Sequence, residues 1–145
     1  MSPKKIEEFS GIHRFLSNFW SAEVTYLGEK YPSVEHAYQA AKAADLKDRE
    51  KIRIAGSPTE ARSLGRKVRL RSDWAKMRVP VMTDLLEQKF GAGTELCEKL
   101  LKTGDCDLVE GNYWGDVFWG VCRGIGENNL GKLLVQIRTQ RRGKT

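Results

Sequence analysis

Glu35, Gln39 and Lys42 put an acid, an amide and a base on one side of a single predicted helix. The helix is expected to begin after Pro32, which disfavours helical geometry at Tyr31, with Ser33 as its N-cap. At about 100° per residue, Val34, Ala37, Ala41 and Ala44 share an apolar side with Tyr38 at its edge, and the three polar residues share the other. A carboxylate placed there can orient water or stabilise a positive charge, and an ammonium two turns on suits a phosphate. Glu35 also lies in the first turn, where free backbone N–H groups favour an anion. Taken alone, the face reads as solvated surface, and only the rest of the chain can change that. His36 lies about 100° round the helix from Glu35 and is not expected to be a general base.

A second carboxylate, Asp116, lies in Gly111-Asn112-Tyr113-Trp114-Gly115-Asp116-Val117-Phe118-Trp119-Gly120-Val121. Glycines there let a backbone approach closely, and aromatics offer flat surfaces. Asp116 can accept from loop amides, or it can hold sugar hydroxyls or stabilise a cation. The next segment, Gly124 to Asn129, is no dinucleotide fingerprint, because no strand–GxGxxG–helix unit surrounds it. Nearer the N-terminus, Ile12 to Trp20 interleaves aromatics with Arg14, Ser17 and Asn18 and reads as a loop exposing polar groups. An internal basic run, Arg62, Arg66, Lys67, Arg69 and Arg71, followed by Lys76 and Arg78, is either solvated surface or an anion-binding face. Three cysteines (Cys97, Cys106, Cys122) and two well-separated histidines make neither a zinc site nor a disulfide framework. No metal and no cofactor is expected.

Short strands and several helices must position these residues. Ile6–Phe9 reads as a strand, and Glu23–Leu27 turning at Gly28-Glu29 into Lys30-Tyr31 reads as a hairpin. Asp45–Ala55 reads as a helix closed by Gly56. Ser57-Pro58-Thr59-Glu60 is a capping-box start for a helix running to Gly65-Arg66. Val68–Arg71 reads as extended, and Ser72 as the cap of a helix to Phe90 that Pro80 should kink or split. Thr94 starts a helix that Gly104 stops, Leu108–Glu110 reads as a strand, and Asn128 or Asn129 caps a last helix bearing Leu130, Leu133, Leu134 and Ile137. Strands segregated from helices indicate α+β.

The expectation is therefore α+β, a compact single domain, mainly helical with a few short β-strands, over residues 1–145, with a core of about 6–138 and a basic tail 139–145. With 40% hydrophobic and 30% charged residues, the composition fits a soluble globular protein. No apolar run reaches a membrane span, and Met1-Ser2-Pro3-Lys4-Lys5 carries no apolar signal region, so a cytoplasmic location is expected. The net charge of +6, carried partly by Lys4, Lys5, Arg138, Arg141, Arg142 and Lys144, draws the protein toward phosphates in nucleic acid or nucleotides.

Five segments resemble, in order, successive signatures of the NADAR family: Arg14-Phe15-Leu16-Ser17-Asn18-Phe19, Ser33 to Lys42, Ala61-Arg62-Ser63-Leu64-Gly65-Arg66, Asn112-Tyr113-Trp114-Gly115-Asp116, and Gly126 to Leu134. They span about Ile6 to Arg138. The resemblance implies a metal-independent N-glycosidase that cleaves between ribose C1′ and a nitrogen of a base-like group. Two substrate classes go with the family: ADP-ribose on guanine in nucleic acid, and ribosylamino-pyrimidine phosphates of early riboflavin biosynthesis. The basic run favours the first; a functional pairing with an ADP-ribosyltransferase toxin is a partner that the resemblance, and not the charge, brings with that substrate. A non-catalytic ADP-ribose reader is the third alternative, against which the presence of both carboxylates argues. On this resemblance Glu35 is the catalytic carboxylate and Asp116 the second. Arg14, Ser17, Asn18, Phe19, Gln39, Lys42, Trp114, Gly115, Trp119 and Asn129 then bind substrate, Lys42 at phosphate, Gln39 at a ribose oxygen, and Phe19, Trp114 and Trp119 stacked on a base.

Overall fold

The computed structural model describes residues 4–143, so Met1-Ser2-Pro3 and the Lys144 of the basic tail lie outside the described residues. The chain divides into two units: the N-terminal segment through Ser17 with the chain from Phe90 onward, and Asn18–Lys89. Both combine helices with short strands, and the class is α+β, mainly helical, as expected.

In the first unit, β1 (Lys5–Ile6) runs parallel to β4 (Asp107–Leu108). Gly11–Leu16 is a 3-10 helix rather than the expected loop; Phe15 and Leu16 are buried while Ile12 and Arg14 stay exposed. A three-residue turn puts neighbours on different faces, which is why the segment matched neither the α nor the β period. Thr94 caps α5 (Glu95–Lys102), its hydroxyl accepting from the Cys97 amide at 3.1 Å. The last helix, α6 (Asn129–Arg142), buries Leu130, Leu134 and Ile137 and packs on α5 and β4. Asn128 precedes it at φ 55° but does not cap it; its side chain accepts from the Glu110 amide and donates to the Leu108 carbonyl. The last helix takes in part of the basic tail. Helix α6 continues through Arg142, Arg138 is buried on Thr103, and Arg141 donates to the Phe90 carbonyl at 2.8 Å. Strands β5 (Gly111–Asn112) and β6 (Val121–Cys122) run parallel and bracket the aromatic loop between them.

The second unit opens with the hairpin of β2 (Ser21–Tyr26) and β3 (Glu29–Ser33), whose two-residue tip, Leu27 at φ 49° and Gly28 at φ 83°, has the two left-handed residues a type I′ turn requires. Next come α1 (Val34–Lys42), α2 (Leu46–Arg53), α3 (Pro58–Gly65) and α4 (Trp74–Lys89). Ser57 caps α3, and the Glu60 carboxylate reaches back to the Gly56 amide at 2.7 Å, one residue earlier than a capping box would have it. Helix α4 is not split. It runs unbroken through Pro80, whose ring is exposed, because Trp74, Val81, Met82, Leu85 and Leu86 form a buried stripe on both sides of it. Helix α1 packs against α2, α3, α4 and both hairpin strands.

Candidate active site

Helix α1 carries three of the expected site residues, Glu35, Gln39 and Lys42. Ser33 caps it as expected, its hydroxyl accepting from the His36 amide at 3.1 Å. The helix ends at Lys42, so Ala44 falls outside it; Ala43 instead bridges to Leu70 in the segment expected to be extended. Ala37, Ala40 and Ala41 are fully buried, and these small residues let neighbouring helices approach closely. The polar face is therefore not wet surface. Glu35 is only 8% exposed and Gln39 only 7%.

Glu35 is held at both ends. Its amide donates to the Asn18 carbonyl at 3.1 Å, and Gln39 Nε2 donates to its Oε2 at 2.8 Å. Lys42 follows on the same face, half-buried. Burial lowers its pKa below the ordinary lysine value, the Glu35 carboxylate opposes that shift, and Arg66 and Arg62 reinforce it. Arg62 of α3 and Arg66, the residue that caps its C-terminus, thus act on the Lys42 ammonium together with Glu35. Arg62 also lies over the Phe19 ring, 5.9 Å from its centroid, so Phe19 faces a cation. Asn18 Nδ2 contacts Met82 Sδ at 3.7 Å, and its Oδ1 is buried without a hydrogen-bond partner, as is Gln39 Oε1. A buried amide oxygen left without a donor is ready to accept one. His36 is spent on structure: Ser33 Oγ pairs with Nδ1 at 2.7 Å and the Ala55 carbonyl with Nε2 at 3.0 Å. Two further members of the basic run are held by acids, Arg69 pairing with Asp45 and Arg71 with Asp73.

The remaining expected residues belong to the other unit. Asp116 Oδ1 accepts from the amides of Phe118 at 3.2 Å and Trp119 at 2.9 Å, the loop-shaping use of the two open to it. Asn112, buried beneath the loop, accepts from the Asp116 amide at 3.0 Å and donates to its carbonyl at 2.9 Å. Asn129 likewise ties the loop down, donating to the Phe118 carbonyl at 2.9 Å. Trp119 is 9% exposed and meets Phe118 edge-on at 4.8 Å, which corrects the expectation that it offers a stacking face. Trp114, beside Gly115 at φ 86°, is 52% exposed and Tyr113 82%, so the open aromatic faces are theirs. Arg14 is exposed on the 3-10 helix, and Ser17 closes it with its amide on the Arg14 carbonyl. Among the described residues, no group of three or more His, Cys, Asp or Glu is placed to hold a metal ion, and no helix is long and apolar enough to cross a membrane.

The NADAR domain model matches residues 6–142. The chain belongs to the NADAR family. It is 39% identical over 127 residues to N-glycosidase YbiA of Escherichia coli K12, covering 86% of this chain and 79% of that one. It is also 39% identical over 131 residues to the riboflavin biosynthesis protein VVA0006 of Vibrio vulnificus, where 88% of this chain spans only 35% of the relative. The NMR structure of E. coli YbiA superposes with a TM-score of 0.87 at 35% identity, over 99% of this chain and 88% of that one. Within this NADAR chain, sequence reasoning named Glu35, Gln39 and Lys42 but gave no role to Gly65 and none individually to Arg62 and Arg66. The i, i+4 spacing of the two arginines was the available signal.

Proposed function

We propose that the chain hydrolyses the bond between ribose C1′ and a base nitrogen, and that it takes ADP-ribose carried on guanine in nucleic acid. It is a hydrolase of the N-glycosidase class for which its family relatives are named. The observation that carries the reading is Glu35, a buried carboxylate fixed by Gln39 and followed on the same helix face by Lys42, on which Arg62 and Arg66 act. As the C1′–N bond lengthens, electrons leave with the base and positive charge grows on the ribose. A carboxylate in a dry site stabilises that charge and accepts a proton from the attacking water. The water oxygen ends on C1′ and the base nitrogen gains a proton. The cations supply the charge for ribose-linked phosphate. The net charge of +6 draws a polyanion, which favours nucleic acid over a small metabolite.

The names of the V. vulnificus protein and of a chloroplastic Zea mays relative favour a second reading, hydrolysis of ribosylamino-pyrimidine phosphates of riboflavin biosynthesis. Incubation with an ADP-ribosyl-guanine oligonucleotide and, separately, with the ribosylamino-pyrimidine phosphate separates the two. Free ADP-ribose released from the first supports the proposal, and turnover of the second alone replaces it. Tight ADP-ribose binding with no turnover of either would make the chain a reader.

A further inference from the structure

Gly65 closes α3 in ordinary helical geometry, so its backbone does not call for glycine. A helix-end alanine would be better for stability on intrinsic grounds. What calls for glycine is Gln39. A Cβ built on Gly65 falls on Gln39 Oε1, lies 2.7 Å from its Cδ and 3.0 Å from its Cβ, and meets nothing else that close. The amide of Gln39, oxygen foremost, thus occupies the space that a side chain at residue 65 would take. In that seat its Nε2 points to Glu35 Oε2 at 2.8 Å, while its oxygen stays buried without a hydrogen-bond partner. Turning the amide over would bring oxygen against the carboxylate, so seat and donor direction are set together.

We propose that Gly65 is a positioning residue for the catalytic carboxylate: its missing side chain seats the Gln39 amide, and the seated amide aims Glu35. The proposal rests on Glu35 being the catalytic group, as argued above. It acts through one contact on one partner, so it predicts a pattern that ordinary packing does not. Gly65→Ala displaces the amide and lowers kcat about 10- to 100-fold, the loss of one hydrogen bond to a charged group, with little change in KM. Gln39→Ala lowers kcat by the same factor, and the double variant is no worse than either single one. Stability goes the other way. Gly65→Ala lowers Tm through the collision, and adding Gln39→Ala restores it without restoring kcat.

Kinetics and melts on the three variants test this with whichever substrate the parent turns over. A kcat for Gly65→Ala near that of the parent, or a double variant slower by the product of the two single effects, overturns the proposal. If Gly65→Ala does not fold, the comparison of Gln39→Ala with the double variant decides: equal kcat supports, a further tenfold fall overturns. One readout needs no substrate. In 15N-labelled protein the Gln39 side-chain amide signals, assigned by their loss in Gln39→Ala, shift on Glu35→Gln in the parent and do not in the Gly65→Ala background. An equal shift in both backgrounds overturns the seating, and does so whether or not Glu35 proves catalytic.

Discussion

Lys42→Met separates the cost of the proposed phosphate site to the fold from its use to the enzyme. The Lys42 ammonium is half-buried, and burial is the main cause of its lowered pKa; Glu35 opposes the shift, and Arg66 and Arg62 add to it. A folded-state pKa below the unfolded value means that the unfolded chain binds more protons in the window just under 10.5. Stability therefore rises with pH through that window and is lost as pH falls through the folded value. At neutral pH the fold carries a charged group it would rather hold neutral. Methionine keeps the apolar stem and removes the charge, so the variant should melt at the same temperature as the parent or higher. A substrate phosphate reverses the preference, because it favours the ammonium. Losing one charge-assisted hydrogen bond of about 1.5–3 kcal/mol predicts a KM about 10- to 100-fold higher, with kcat changed less. Release of ADP-ribose from an ADP-ribosyl-guanine oligonucleotide, over a range of substrate concentrations and beside thermal melts, measures both. Inorganic phosphate should compete in the parent and lose most of that competition in the variant. An unchanged KM, or a fall in Tm, refutes the reasoning.

Glu35→Gln should lower kcat by roughly 10²- to 10⁴-fold while ADP-ribose binding persists by calorimetry. A near-parental rate would remove Glu35 from the mechanism. Asp116→Asn keeps the oxygen that accepts from the Phe118 and Trp119 amides and should stay within a few-fold of the parent in rate, whereas Asp116→Ala should cost roughly 1–3 kcal/mol in urea unfolding. A large rate loss in the asparagine variant would assign chemistry to the carboxylate instead. Lys89 is buried and its pKa pushed down to about 7, so the fold disfavours its charge, and stability should climb from about pH 7 toward 10.5. Lys89→Met should flatten that climb in urea melts across the range; equal slopes would show that another group causes it.

Local signals read from the sequence were those whose cause is itself local. Ser33 after Pro32 and Thr94 before Glu95 each satisfy an orphan amide within a few residues and stand where expected, while the hairpin tip falls one residue earlier than expected, at Leu27-Gly28 instead of Gly28-Glu29. The 3-10 turn at Gly11–Leu16 was missed because its three-residue period fits neither the α nor the β pattern, and the unsplit helix through Pro80 because packing outweighed a local preference. Trp119 and Trp114 are indistinguishable by type, and the loop bonds of Asp116, Asn112 and Asn129 that accompany a buried Trp119 and an exposed Trp114 join residues that sequence patterning does not pair.

The site itself was half legible, and the missing half has a physical cause. Periodicity sorts the residues of one helix into two faces and has no means of knowing that a second face will also be covered. In α1 it read Glu35, Gln39 and Lys42 as the wet side, whereas α3 closes over Gln39 and brings Arg62 and Arg66 to act on Lys42. A buried polar face is costly unless its groups bond one another, and Gln39 on Glu35 is such a bond. The sequence did hold one sign of the covering. Residue 65, in ordinary helical geometry at the end of α3, is a glycine, which leaves room for a neighbour that alanine would exclude. That neighbour is Gln39, four residues beyond Glu35, and a helix glycine facing a polar helix face is the pattern by which such a site can be suspected before its fold is known.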